Sequence, residues 1–329
     1  MMSRPTTAEE IRLLTKVSKL YYEEDMRQDE IVARLNLSRS KVSRLLQQAR
    51  DEGIVRITVL EPTGIYADLE TRLEKYYRLQ EAVIVEAHQP ESQAVVSREI
   101  GVAAASYLAR TIQADDTIGI SWGSTLNEMV ENLEPMNLPN AQVVQIIGGI
   151  GRPEAEIHAT DLCRRMSRRL GCNMALLPAP GIVDDQKTRS VFLADSHVHR
   201  TMSLFPSIRA VFVGIGAPTA DSVMMRDGSI LTQSEMEGLL ASGAIGDIAL
   251  RYFDAYGQPV VSDLDERVIG MEYSELSKVA LKVGVAGGPR KATAILGALR
   301  GQLIDVLITD HVTAVHLLEA VPQSKMREH

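Results

Sequence analysis

Basic and hydroxyl side chains are concentrated in one short stretch near the start of the chain. Residues 33–50 contain no Asp or Glu and five basic residues: Arg34, Arg39, Lys41, Arg44 and Arg50. Guanidinium and ammonium groups can donate to the acceptors of guanine in the major groove, and hydroxyl groups contact bases or phosphates. A charge run is more often a solvated helix face, so the charges alone leave both interpretations open.

The surrounding pattern predicts how these side chains are presented. Apolar residues recur every three or four positions in residues 8–24, 28–35 and 39–52, which predicts three amphipathic helices. Asn36 tolerates the left-handed conformation that ends a helix, and Ser38 suits the N-cap of the next. A tight turn followed by a helix with a basic outer face is typical of a helix-turn-helix, and a hairpin of helices used only for dimerisation is the alternative.

We therefore expect residues 1–60 to form a winged helix-turn-helix domain, with an alternating segment, residues 53–60, as the wing. Ser40, Lys41 and Arg44 are predicted to contact bases, while Arg39 and Arg50 are predicted to anchor phosphates. The predicted DNA-contacting residues are Gln28, Ser38, Arg39, Ser40, Lys41, Ser43, Arg44 and Arg50. One such motif offers a small interface, so two copies reading a pseudo-palindromic operator are expected.

A segment of helical periodicity separates this domain from the rest of the chain. Leu69 and Leu73 stand at helical spacing among charged residues within residues 66–79. Residues 61–80 are accordingly predicted to be a linker or self-association helix in a homodimer or homotetramer.

Residues 81–329 carry the pattern of an α/β domain. Seven β-rich apolar runs alternate with helical patterns, at residues 83–85, 117–121, 142–147, 175–177, 210–214, 281–286 and 305–309. Continuous apolar strands separated by helices predict a Rossmann-like, mostly parallel sheet covered on both faces. In such sheets ligands bind beyond the carboxyl ends of the strands.

Two strand ends carry residues suited to an anion. Gly123, Ser124 and Thr125 follow the second run and open a helix, where hydroxyl groups and free amide N–H groups suit a phosphate; a plain capped turn is the alternative. Lys291 follows a Gly287-Gly288 pair at the start of another helix, where a cation is unfavourable beside the helix dipole. It is better explained by a facing anion than by solvent exposure.

Other candidate residues have weaker signals. Gly149 and Arg152 follow the third run, where they either line the same ligand site at the strand ends or form a structural turn. The His residues show no metal-ligand spacing, and the two cysteines, Cys163 and Cys172, have no partner cluster. No metal and no cofactor are predicted.

Charge and hydropathy exclude some classes of protein. The net charge is −8, but residues 1–60 hold 11 Lys and Arg against 9 Asp and Glu, whereas the remaining chain holds 24 against 34. The excess of positive charge thus falls on the part predicted to meet DNA. No apolar run approaches the roughly 18–20 residues of a membrane-spanning helix. We expect a cytoplasmic protein that does not contact a membrane.

Several motifs, in order along nearly the whole chain, resemble the SorC family of sugar-responsive transcriptional regulators. They are residues 28–31, 37–46, 119–126, 177–180, 213–216, 246–248 and 285–288 with Lys291. The resemblance implies a C-terminal domain similar to sugar-phosphate isomerases and glucosamine-phosphate deaminases, kept for binding. It also implies that Lys291 contacts an effector phosphate and that Asp247 bonds sugar hydroxyls; an N-cap or turn role for Asp247 is the alternative.

Together these observations predict a regulator of a carbohydrate operon, controlled by a phosphorylated sugar or polyol, and not an enzyme. The alternative is a sugar-phosphate isomerase or deaminase with an accessory DNA-binding domain. Such chemistry needs a general base, often with a His and carboxylate relay. Asp247 could act as a base, but no His-containing group is expected beside it, and an enzyme leaves the basic helix unexplained.

Overall fold

A computed structural model describes residues 8–57, 64–149, 159–219 and 231–321. The chain divides into two compact units, an N-terminal unit (Met1–Glu61) and a C-terminal unit (Pro62–His329). Within the described parts of the chain, no helix combines the length and apolarity that crossing a membrane requires.

Residues 8–57 of the N-terminal unit form a bundle of three helices. They are α1 (Ala8–Tyr22), α2 (Gln28–Leu35) and α3 (Arg39–Asp51). The apolar stripes of the three helices meet in one buried core formed by Leu14, Val17, Leu20, Ile31, Val42, Leu45, Leu46 and Ala49. The turn follows the predicted chemistry, because Asn36 is left-handed (φ 52°, ψ 47°) and the Ser38 hydroxyl accepts the Lys41 N–H at 3.3 Å.

The predicted wing is only partly covered by the structure. Residues 53–57 form a turn and an irregular segment instead of a strand, since Gly53 (φ 71°) ends the helix and the Val55 N–H returns to the Ala49 carbonyl at 3.0 Å. Residues 58–60 lie outside the described residues, so the wing itself stays a prediction.

The described residues of the C-terminal unit include nine strands. They are β1 (Glu81–Val85), β2 (Thr117–Ile120), β3 (Gln142–Gln145), β4 (Asn173–Ala175), β5 (Ala210–Val213), β6 (Gly246–Ile248), β7 (Arg251–Phe253), β8 (Leu281–Val285) and β9 (Val306–Asp310). Seven of them form one sheet in the order β1-β9-β8-β5-β2-β3-β4, with every pair parallel. Six of the seven predicted runs coincide with strands of this sheet, and the seventh, residues 175–177, overlaps β4 only at Ala175. The predicted fold class is confirmed.

Helices cover both faces of the sheet. They are α4 (Ala67–Tyr77), α5 (Gln93–Thr111), α6 (Ser124–Glu131), α7 (Ala159–Leu170), α8 (Gln186–Ala194), α9 (Ser196–Met202), α10 (Gln233–Ala241), α11 (Tyr273–Leu276), α12 (Ala292–Arg300) and α13 (His311–Glu319). Helices α5, α6 and α7 share a core with Val143, whereas α4, α12 and α13 share a core with its neighbour Val144. Alternate strand residues therefore serve opposite faces.

Helix α4 is part of the core of the C-terminal unit. Leu73 is fully buried, and the carboxylates of Glu70 and Glu74 accept the backbone N–H groups of Ile84 and Ala82, each at 2.9 Å. These carboxylates cover the free edge of β1, which would otherwise expose unpaired N–H groups. A role for residues 61–80 in self-association stays a prediction.

The strand order creates one position suited to a ligand. From β2 the chain continues through β3 to β4 on one side, whereas from β5 it continues through β8 to β9 on the other side. Such a reversal leaves a crevice beyond the carboxyl ends of the two central strands, where ligands bind in open α/β sheets. The crevice lies between the end of β2 and the end of β5.

Candidate functional site

The predicted DNA-contacting residues lie on the outer face of α3 and its flanks. Gln28 is half-buried, and the exposed residues are Ser38, Arg39, Ser40, Lys41, Ser43, Arg44 and Arg50. Since Val42, Leu45 and Leu46 occupy the opposite side of the same helix in the core, the basic side is held outward. The helix therefore presents its cationic face to solvent.

These side chains differ in how free they are. Within the part of the chain that the structure describes, neither Lys41 nor Arg44 has a side-chain hydrogen bond or ion pair. Arg39 forms a 3.6 Å ion pair with Asp29, and both groups are about three-quarters exposed, so the pair is weak. The Arg50 guanidinium donates to the Gln47 amide oxygen at 2.6 Å. Lys41 and Arg44 are the groups readiest to meet a partner.

The second candidate site begins at the end of β2. Gly123 (φ 139°) precedes α6, and a Cβ placed on it would have nothing within 4 Å. Ser124 is exposed, whereas Thr125 is buried and its hydroxyl donates to the Ser97 hydroxyl at 3.3 Å. Of the two hydroxyl groups that the sequence suggested for an anion, only that of Ser124 is on an exposed residue, whereas that of Thr125 is bonded inside the protein.

Asp247 lies beside the end of β5. A two-residue bridge joins it to Gly216, with N–H to carbonyl distances of 2.9 and 3.1 Å. A Cβ on Gly216 would collide with the Asp247 carboxylate, so a glycine is needed for this approach. The carboxylate is thereby placed beside β5, the strand paired with β2.

The hairpin that carries Asp247 is strained. Strands β6 and β7 are joined by Ala249 (φ 51°) and Leu250 (φ 65°), and each positive φ in a non-glycine residue costs roughly 1–2 kcal/mol. The Asp247 carboxylate accepts the Leu250 N–H at 3.2 Å and so supports this turn. Asp247 has the turn role that the sequence left open, and its second oxygen is directed toward Gly216.

Asp247 and Lys291 are two opposite charges in poorly solvated positions. Burial raises the pKa of Asp247 to about 6, although the Leu250 N–H and the Lys291 charge oppose the rise. Burial also lowers the pKa of Lys291, against the effect of Asp247. No ion pair joins these two described side chains. A ligand with hydroxyl groups and a negative charge would compensate both groups, and perturbed charges of this kind are typical of binding sites.

The loop that carries Lys291 is held by hydrogen bonds to residues at the end of β9 and in α13. Residues 289–291 form a single 3-10 turn before α12, and the N–H of Gly288 (φ 95°) donates to the Asp310 carboxylate at 2.7 Å and to the Thr313 hydroxyl at 2.9 Å. Asp310 is fully buried at the end of β9 and also caps α13. The sequence did not identify Asp310, because its bond to Gly288 spans 22 residues.

The remaining predicted residues are placed differently. The N–H of Gly149 donates to the Ala179 carbonyl at 2.8 Å, and its own carbonyl accepts the Gly181 N–H at 2.6 Å. The backbone of Gly149 thus holds the segment after β4. Arg152 lies outside the described residues. Over the described ranges, no group of three or more His, Cys, Asp or Glu residues could hold a metal ion.

Known proteins resemble the chain over nearly all of its length. The Sugar-bind family model, which describes a sugar-binding domain, matches residues 62–319. The Sorbitol operon regulator of Klebsiella pneumoniae is 32% identical over 319 residues, which is 95% of this chain and 99% of the relative. The Deoxyribonucleoside regulator of Bacillus subtilis (strain 168) is 31% identical over 306 residues, 93% and 97% of the two chains.

Solved structures agree with this result. The crystal structure of the full-length sorbitol operon regulator SorC from Klebsiella pneumoniae superposes with a TM-score of 0.72 at 30% identity, and covers 95% of this chain and 100% of that chain. The sugar-binding domain of the transcriptional regulator DeoR from Pseudomonas syringae pv. tomato has a TM-score of 0.61 at 37% identity, covering 78% and 100%. These relatives are regulators and not enzymes. The chain is a transcriptional regulator with a sugar-binding domain, and it belongs to the SorC family.

Proposed function

We propose that a phosphorylated sugar or polyol binds in the crevice between β2 and β5 and controls the binding of α3 to operator DNA. Ser124, the N–H groups at the start of α6 and Lys291 hold the phosphate, and Asp247 accepts sugar hydroxyls. Gly149 and Arg152 belong to the mouth of the same site. The observation that carries the proposal is the pair of opposite charges on Asp247 and Lys291, which influence each other's pKa without an ion pair, after the ends of β5 and β8 and next to the crevice.

A ligand panel tests the chemical class of the effector. Relatives named for sorbitol and for deoxyribonucleosides motivate sorbitol 6-phosphate and deoxyribose 5-phosphate, each beside its unphosphorylated parent. Trp122 is the single tryptophan of the chain, directly precedes Gly123 and is half-buried, so its fluorescence reports on this site. We expect saturable quenching or enhancement, and a raised melting temperature, with a phosphorylated compound. A free sugar that binds more tightly than every phosphate contradicts the proposal.

Lys291→Ala is expected to abolish the response to the phosphorylated compound. The substitution removes the cation that faces the phosphate, so the affinity for the phosphorylated compound falls. The affinity for the unphosphorylated parent changes little. Lys278→Ala is the matched control, because Lys278 is an exposed lysine of the same unit. Equal effector sensitivity of the two variants in a gel-shift titration would count against the site.

DNA recognition is proposed for the exposed face of α3, in a homodimer or homotetramer that reads a pseudo-palindromic operator in the cytoplasm. Arg44→Ala should cost about 1–3 kcal/mol of operator binding and little binding to a scrambled duplex, because base contacts specify sequence. Arg50→Ala is the comparison, since a phosphate anchor should weaken both duplexes alike. Identical effects of Arg44→Ala on both duplexes contradict its base contact, and analytical ultracentrifugation checks the assembly.

A further inference from the structure

Helix α5 contacts both loops that carry the proposed effector-binding residues. From its first turn, the Gln93 side-chain amide donates to the Gly287 carbonyl at 3.1 Å, in the loop that leads to Lys291. The same amide group donates to the Ser97 hydroxyl, one turn further along, at 3.3 Å. The Ser97 hydroxyl also accepts a hydrogen bond from the hydroxyl of Thr125, in the first turn of α6. A continuous chain of hydrogen bonds thus joins the two loops.

The packing at the two ends of this chain is close. A Cβ on Gly288 would lie 2.5 Å from the Gln93 side-chain oxygen, so the Lys291 loop fits directly against the amide group. At the other end, a Cβ on Gly101 would collide with Glu128, which brings α5 and α6 together without a gap. Ser97 is 3% exposed, so its hydrogen bonds are shielded from water.

The sheet order explains why one helix can reach both loops. Strands β2 and β8 stand on either side of β5, and Asp247 is attached at the end of β5. Helix α5 shares the hydrophobic core formed with β2 and β8 on one face of the sheet. The separation between Ser124 and Lys291 across β5 therefore depends on α5.

We propose that Gln93 and Ser97 are positioning residues that set the distance between the start of α6 and Lys291, and thereby the affinity for the phosphate of the effector. This inference rests on the proposed function. Neither side chain needs to touch the effector, because a phosphate held from two sides loses affinity when either side moves away. A displacement of about 1 Å is enough to disturb an oriented site.

The test compares phosphate affinity in two variants and a control by Trp122 fluorescence, with inorganic phosphate, sorbitol 6-phosphate and deoxyribose 5-phosphate as probes. Gln93→Ala and Ser97→Ala should each weaken binding of the best phosphorylated probe by about 5- to 10-fold. Ser167→Ala is the control, since Ser167 is also buried and its hydroxyl contacts only the Arg164 carbonyl at 2.9 Å and the Met174 sulfur at 3.6 Å, neither of which belongs to the loops before α6 and α12. It should bind as the unchanged protein does.

Two further measurements separate positioning from general stability. Thr125→Val keeps the volume of the side chain but removes the hydroxyl, and should weaken binding, whereas Thr125→Ser should restore it. Melting temperatures without ligand, measured for every variant, show whether a loss of affinity is merely a loss of folding.

The outcomes are distinct. If Gln93→Ala and Ser97→Ala bind phosphate as the unchanged protein does, while Lys291→Ala loses affinity, Gln93 and Ser97 are not positioning residues. The proposed function would stand in that case. Absence of binding by the unchanged protein to every phosphorylated probe removes the proposed function and the inference together.

Discussion

Replacing Asp247 by Asn should stabilise the protein at alkaline pH. Burial raises the pKa of this carboxyl from 3.8 to about 6, so the native state holds its proton more tightly than the unfolded chain does. Native stability from this group is therefore present at low pH, declines as the pH rises through 3.8, and is fully lost above 6. Two pKa units correspond to about 3 kcal/mol as an upper bound.

The observable gain should be smaller than this bound. Asp247 is only half-buried, and its charge also favours the Lys291 ammonium, so we expect about 1–2 kcal/mol at pH 8. This corresponds to roughly 2–8 °C in melting temperature. At pH 4.5 the gain should fall to about a third, since most of the carboxyl is then protonated in the native state. The Asn oxygen can still accept the Leu250 N–H.

Thermal unfolding of the full chain at pH 4.5 and 8.0, without sugar, measures the effect. Asp254→Asn is the control, because Asp254 accepts the N–H groups of Tyr256 and Gln258, each at 2.9 Å, and should lose stability on neutralisation. A gain of equal size at both pH values, or a loss at pH 8, would refute the assignment of Asp247 as an unfavourable charge. A carboxylate kept at a cost in stability is typical of a binding site.

Two further predictions concern backbone and capping. Gly216→Ala should push the Asp247 carboxylate aside, abolish the sugar response and lower the free energy of unfolding by about 1–3 kcal/mol. Gly238→Ala, in the open middle of α10, should leave the free energy of unfolding unchanged or raise it by up to about 1 kcal/mol. Trp122 titration and thermal unfolding check both variants. Ser38→Ala should cost about 1 kcal/mol of helix stability, measured by circular dichroism. Ser38→Asp should keep that stability but weaken DNA binding in a gel shift, because its charge repels the phosphates. If Ser38→Ala melts at the same temperature as the unchanged protein, Ser38 does not cap the helix.

The fold could be predicted largely from local pattern. Helix α3 was predicted at residues 39–52 and is observed at Arg39–Asp51, because an apolar stripe at helical spacing can be recognised without knowing what packs against it. The turn between α2 and α3 was predicted for the same reason, since the left-handed Asn36 and the Ser38 cap depend on neighbouring backbone. Six of the seven strands of the sheet were found, because strands covered on both faces carry apolar runs. The edge strand β4 was placed two residues too far along the chain, because its first two residues, Asn173 and Met174, are exposed and give no such signal.

The β6–β7 hairpin was missed. Two-residue hairpins normally carry Asn-Gly or a similar pair at the positions with positive φ, but here Ala249 and Leu250 occupy them. A sequence without a turn signal gives no reason to place a hairpin there. The tertiary surroundings hold the turn, because Leu250 is fully buried and its N–H is bonded to Asp247.

The sequence by itself determined the helix-turn-helix, the outward basic face of α3 and the strands of the α/β domain, because each follows from residues within a turn or two of one another. Only the tertiary structure decided that Gly216 admits the Asp247 carboxylate, that Lys291 lies near enough to Asp247 to affect its pKa, and that Thr125 donates to Ser97. Those relations join residues that are 28 positions (Ser97 and Thr125) to 44 positions (Asp247 and Lys291) apart. They depend on the order of the strands, and no local preference of the chain specifies that order.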